Sequence, residues 1–151
     1  MGRFQATLLV ATFLGCGDPL GIALGTDDLR LQVVEGLVPS QLPADPATIE
    51  MASLTGSSLR LDLRYSGGCR EHRFALVAGT SFGESLPLFT VMRLAHDAGG
   101  DTCEALVRRS ITVDVSPIVE YVRRAGGDAL RFELIEPGER FSTVGELRYT
   151  F

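Results

Sequence analysis

From Ser58 to Tyr65 the chain sets Leu59, Leu61, Leu63 and Tyr65 against Arg60, Asp62 and Arg64. A period of two puts these sets on opposite faces of an extended strand, one buried and one wet. Leu130, Phe132 and Leu134 repeat the pattern against Arg131 and Glu133, and Leu147, Tyr149 and Phe151 against Glu146, Arg148 and Thr150. Further strands are predicted at 29–35, 48–54, 73–78, 88–95 and 104–115, divided by segments rich in Gly, Pro, Ser and Asp. About eight short strands in one domain predict an all-β fold, an antiparallel β-sandwich, with a barrel as the alternative. One segment departs from the period of two. Over 116–125, Ser116 can cap a helix, Pro117 suits its first turn, Ile118 and Val122 share a face, and Gly126-Gly127 ends it. This predicts one short helix plugging an end of the sandwich.

The amino-terminal sixteen residues follow a different logic. Arg3 is the only charged side chain before Asp18, and the apolar run ATLLVATFL is nine residues, far short of the roughly 20 that a membrane-spanning helix needs. A positive start, a short apolar stretch and a cysteine behind it have the form of an export signal over residues 1–15. Phe13-Leu14-Gly15-Cys16 resembles the lipobox of bacterial lipoproteins, with Phe13 in place of the usual leucine and Leu14 where a small residue is commoner. The resemblance implies cleavage before Cys16, lipid on its sulfur and a chain attached to the membrane through that lipid. Gly17 rather than aspartate after the cysteine implies the outer membrane of a bacterial cell envelope. Simple secretion, with cleavage after Ala23-Leu24-Gly25, is the alternative. Residues 16–28, with three Gly, one Pro and three Asp beyond the cysteine, read as a tether, which leaves 29–151 for the sandwich domain.

Composition narrows the partners. The net charge of −5 excludes nucleic acid, since no basic patch offsets phosphate repulsion. All fourteen basic residues are arginine, and no mechanism follows from that. Three cysteines are an odd number; with Cys16 lipidated, Cys69 and Cys103 remain as a pair in an oxidising compartment.

Those two cysteines travel with both histidines, in Ser66-Gly67-Gly68-Cys69-Arg70-Glu71-His72 and in His96-Asp97-Ala98-Gly99-Gly100-Asp101-Thr102-Cys103. If strands 73–78, 88–95 and 104–115 run up, down and up, then Cys69, His72, His96, Asp97, Asp101 and Cys103 gather at one end. A Cys69–Cys103 disulfide is the preferred reading. In a flat meander its strands lie about 9.6 Å apart, wider than a disulfide tolerates, so the loops must bend inward or one strand must pass to the other sheet. The alternative is a zinc or copper site using Cys69, His72, His96 and Cys103, or the histidines with Asp97 or Asp101 beside an intact disulfide. The Asp97–Asp101 stretch also reads as a plain turn, with aspartate accepting backbone hydrogen bonds and glycine supplying positive φ. Residues 36–46, with three prolines, read as a linker-like loop.

The string SGGCxxH, an ES-P turn, HDxxxDxC and a VDVSP segment, over about residues 66–117, resembles a group of uncharacterised bacterial lipoproteins. That resemblance implies location and secreted character only. No catalytic motif is recognised, and Glu84 and Ser85 fall in the loop far from the histidines. The expectation is a non-enzymatic binding or structural module without a cofactor, its protein or small-molecule ligand unidentified. A metal-binding protein is the alternative, and a hydrolase using Asp101 or a histidine as base ranks third.

Overall fold

The computed structural model describes residues 21–82, 88–138 and 143–150, the last stretch by its backbone from 143 to 147. The predicted export signal over residues 1–15, Cys16, the Glu84-Ser85 loop and Phe151 lie outside the described residues. The strands are β1 (Asp28–Arg30), β2 (Gln32–Val34), β3 (Thr48–Thr55), β4 (Ser58–Gly67), β5 (Arg73–Gly79), β6 (Leu88–Asp97), β7 (Ala105–Asp114), β8 (Ala129–Ile135) and β9 (Thr143–Thr150), with helix α1 (Ser116–Arg124) between β7 and β8. They form two sheets, ordered β1-β7-β4-β3 and β2-β5-β6-β8-β9. The expected β-sandwich is therefore the fold.

The alternation behaves as expected. Leu59, Leu61, Leu63 and Tyr65 of β4 point inward with Ile111 and Val113 of β7, and meet Phe74 and Leu76 of β5, Met92 and Leu94 of β6, and Leu130, Phe132 and Leu134 of β8. β5 is buried along nearly its whole length because its second face is covered as well. There Ala75 and Val77 pack with Ile22, Leu42 and Ala95.

That second layer corrects two expectations. Residues 21–28 are not a free tether: Ile22 is buried, and Gly25 exchanges two backbone hydrogen bonds with Phe74 at the edge of β5. Nor is 36–46 a loose linker. A 3-10 turn at Pro39–Gln41 leads Leu42 onto the outer face of the five-stranded sheet, and Ala44 then bridges to His96 in parallel register. A few apolar side chains suffice to dock a segment whose Gly and Pro content resembles a linker.

Pairing is mixed rather than wholly antiparallel. β1 with β7, β2 with β5 and β6 with β8 are parallel. Parallel neighbours need a long crossover, and the chain supplies it by visiting the opposite sheet between partners. The predicted 73–78, 88–95, 104–115 meander is overturned for this reason. β5 and β6 are antiparallel neighbours, but β7 crosses to the other sheet and pairs with β4, Gly67 opposite Ala105.

The helix forms as expected and buries Ile118, Val119 and Val122 in the main core. Its cap differs. Val115 occupies the N-cap position without a side-chain bond, and Asp114 supplies the acceptor instead, taking the Ser116 N–H and hydroxyl at 2.9 Å each. A carboxylate there also suits the positive end of the helix dipole.

Candidate functional site

Because β4 and β7 are neighbours, the residues just beyond Gly67 and just before Ala105 leave the same end of the same sheet. Cys69 and Cys103 sit there and are joined by a disulfide, with Cα atoms 5.9 Å apart. The crossing of β7 removes the geometric objection that a flat meander raised.

Asp101 ties the two cysteine loops together a second time. Its Oδ2 accepts the N–H groups of Cys69 and Arg70 at 2.9 Å, its Oδ1 accepts that of Cys103 at 2.9 Å, and the carboxylate has no exposed surface. The Cys103 N–H, then those of Cys69 and Arg70 and the His72 ring, hold this carboxyl far below the usual carboxylate range, against the opposing effect of burial. The predicted turn carries it: Asp101 N–H bonds to Ala98 O at 3.0 Å, and Gly99 and Gly100 adopt φ of 60° and 69°.

Beneath the disulfide lie both histidines, 2% and 1% exposed. His72 stacks on Tyr65 with ring centroids 4.5 Å apart, and His96 stacks on Phe74 at 4.6 Å. His72 Nε2 faces Asp101 Oδ2 at 3.2 Å, His72 Nδ1 faces His96 Nε2 at 2.8 Å, and His96 Nδ1 faces the Asp45 carbonyl oxygen at 2.9 Å. Burial pushes the His96 pKa down, and the neighbouring His72 adds to this, while the Asp45 carbonyl opposes it. Gly67 leaves the room that the His72 ring fills: a Cβ there would stand 2.5 Å from Nε2.

Of the residues singled out by sequence, Cys69, His72, His96, Asp101 and Cys103 are brought together and Asp97 is not. Asp97 leaves the cluster to pair with Arg73 and to accept the Gly99 N–H, and these two contacts lower its pKa. The four-ligand zinc arrangement of Cys69, His72, His96 and Cys103 is corrected, since the bond consumes both sulfurs and all four ring nitrogens face protein partners. For the alternative of the histidines with Asp97 or Asp101, the structure directs Asp97 to Arg73, and Asp101, besides taking backbone N–H groups, meets His72 Nε2 at 3.2 Å as a hydrogen-bond partner. The two sulfurs and an Asp101 oxygen do lie within 4.8 Å of one another, a grouping open to a metal ion only after the disulfide is reduced.

Sequence reasoning missed Tyr65 and Asp45 as members of the cluster. Tyr65 was visible as the last inward residue of β4. Asp45 carried only one signal, its position between Pro43 and Pro46: a residue before proline is held extended, with its carbonyl free to accept.

No family model and no curated protein sequence matches this chain. Among solved structures, a NigD-like immunity protein from Bacteroides caccae shares the fold with a TM-score of 0.57 at 19% identity, over 85% of this chain and 65% of its own. A protein of unknown function, DUF1344, from Bacteroides vulgatus shares it with a TM-score of 0.52 at 9% identity, over 83% of this chain and 56% of its own. This chain thus spans less than two thirds of the length of either neighbour. At such identities the likeness is one of fold.

Proposed function

We propose that this protein is an exported, lipid-anchored module of the bacterial envelope that binds or supports a partner and catalyses no reaction. The observation that carries the reading is the doubled fastening at one end, where a disulfide and the Asp101 carboxylate join the same two loops. A disulfide of this kind belongs to an oxidising compartment, which is where the amino-terminal signal would deliver the chain. The polar cluster is spent on structure: its rings are buried, and each ring nitrogen already has a partner. A group acting on a substrate needs a face the substrate can reach. A fold neighbour described as an immunity protein supports a binding role at the level of architecture alone.

The reading is tested by growing cells with labelled palmitate. Label is expected in the membrane-bound native protein and is expected to disappear in Cys16→Ser, with Cys69 and Cys103 still joined in a non-reduced peptide map. Unprocessed protein in the cell interior with free thiols at both positions would overturn it.

A further inference from the structure

We propose that His72 and His96 share one extra proton and act as a single-charge latch, which fastens the strap of residues 43–46 to the disulfide end and lets it go when a second proton enters the pair. This goes beyond the envelope reading and does not depend on it.

The count of hydrogens carries the argument. Asp45 O can only accept, so His96 Nδ1 must donate. The Asp101 carboxylate, already taking three backbone N–H groups, can only accept as well, so His72 Nε2 must donate. Between the rings, His72 Nδ1 and His96 Nε2 stand 2.8 Å apart, a gap that takes one hydrogen. Two neutral imidazoles bring two hydrogens and leave one gap with lone pairs opposed. Two imidazolium ions bring four and set two N–H groups head to head. Three hydrogens, hence one positive charge held by the pair, satisfy every gap, and the Asp101 carboxylate balances that charge.

The charge is enclosed from each side. Tyr65 of β4 covers the His72 ring and Phe74 of β5 the His96 ring. Arg109 of β7 is engaged by Asp27 and Tyr65, Arg70 by the Gly99 carbonyl, and Arg73 by Asp97. The Asp45 carboxylate on the strap accepts the Ala98 N–H, and Glu71 next to His72 is exposed. Among these groups only Asp101 meets the pair with a formal opposite charge in hydrogen-bonding contact.

Among the described residues, His96 is the strap's main hydrogen-bond partner, and Ala98 adds a further bond. The Asp45 N–H donates to His96 O at 3.0 Å, the His96 N–H to Pro43 O at 3.0 Å, the His96 ring to Asp45 O at 2.9 Å, and the Ala98 N–H to Asp45 Oδ2 at 2.6 Å. Pro43 and Ala44 also wall a cavity of about 240 Å³ whose other side is formed by Arg93, Leu94 and Glu136. A second proton on the pair forces the rings apart, and the strap is the element that can yield, since the disulfide fixes the loops opposite. The low proton affinity that burial imposes on His96 places this event on the acid side.

The test uses the purified full chain with its disulfide intact and ¹⁵N-labelled histidine. At pH 7 the ring spectra are expected to show three N–H groups on two rings; two or four would overturn the shared proton. On acidification from pH 7 to pH 5, exchange of the Asp45, His96 and Ala98 amides, corrected for intrinsic rates, is expected to rise by roughly tenfold or more, while amides of α1 do not follow. Uniform acceleration over the whole chain, or none at the strap, would overturn the latch. In His96→Gln, a neutral donor and acceptor in place of the ring, the pH response of the strap is expected to vanish. Should that variant not fold, the proton count and the exchange pattern of the native protein still decide.

Discussion

At the helix end of the sandwich, Ile118, Val119 and Val122 fill the space between the sheets with carbon; at the disulfide end, Tyr65, His72, His96 and Asp101 fill it with rings and charge. The first arrangement depends on volume and is indifferent to pH and redox state. The second depends on where each proton sits and on one covalent bond, so it answers to the surroundings of the protein. A β-sandwich must close both ends, and nothing in the fold requires the same method twice.

The largest way to break the comparison is to remove the bond. Replacing Cys69 and Cys103 together by serine frees a loop closed over a sequence separation of 34 residues and is expected to cost about 4 kcal/mol in denaturant unfolding. A loss under about 1 kcal/mol would mean that Asp101 alone holds the loops, and that the covalent staple is redundant. The matching change at the other end, Ile118→Ala, is expected to cost about 3 kcal/mol, with the same loss at pH 5 and pH 7. A pH-dependent loss would show that the ends are coupled through the core. Gly67→Ala sharpens the contrast further. The new methyl would meet the His72 ring at 2.5 Å, so about 2 kcal/mol is expected from crowding, with the ring displaced from Asp101 in the histidine spectra.

Acid separates the two ends without any substitution. For His96 the folded chain has the lower proton affinity, so the unfolded chain takes up its proton first, near the ordinary value of 6.5, and stability is lost as pH falls below it. For Asp101 the sign is the same in a lower window. Its stabilisation is present above the ordinary value of 3.8 and fades as pH falls below that. Stability measured from pH 7 downward should therefore decline in two stages, and His96→Gln should delete the first. A single stage near pH 4 in the native protein would mean that His96 contributes nothing.

How much of this was legible in the sequence differs between the same two regions. The period of two in β4 and β8 and the Ser-Pro opening of α1 were local signals, and each element formed where they placed it. The strand predicted at 73–78 also formed where it was placed, and it is buried on both faces. Its cover was illegible, because residues 21–46 dock through scattered side chains such as Ile22 and Leu42, within a composition that reads as linker. The cluster was half legible. Turn residues placed Cys69, His72, His96, Asp101 and Cys103 at strand ends, but the crossing of β7 to the other sheet is a pairing between distant segments and leaves no local trace. Asp45 was lost for the same reason: only the docked strap brings its carbonyl to His96.

The smallest effect is expected from Asp97, and it bears on whether charge at the disulfide end matters by position or merely by presence. Asp97 is one residue from His96 and pairs with Arg73, yet successive residues of β6 face opposite ways, and this pair stands toward solvent with half of the arginine side chain exposed. An exposed ion pair is worth little once side-chain entropy and screening are counted, so Asp97→Asn is expected to cost about 0.5 kcal/mol and to leave the histidine spectra and the acid response unchanged. Asp101→Asn removes one charge four residues away and leaves three backbone N–H groups and a ring N–H on a weaker acceptor, so its loss should exceed that of Asp97→Asn and be accompanied by a changed proton count on the rings. If the two variants instead lose equal stability, the distinction between a buried counter-charge and an ordinary surface pair falls, and the disulfide end is held by its covalent bond and little else.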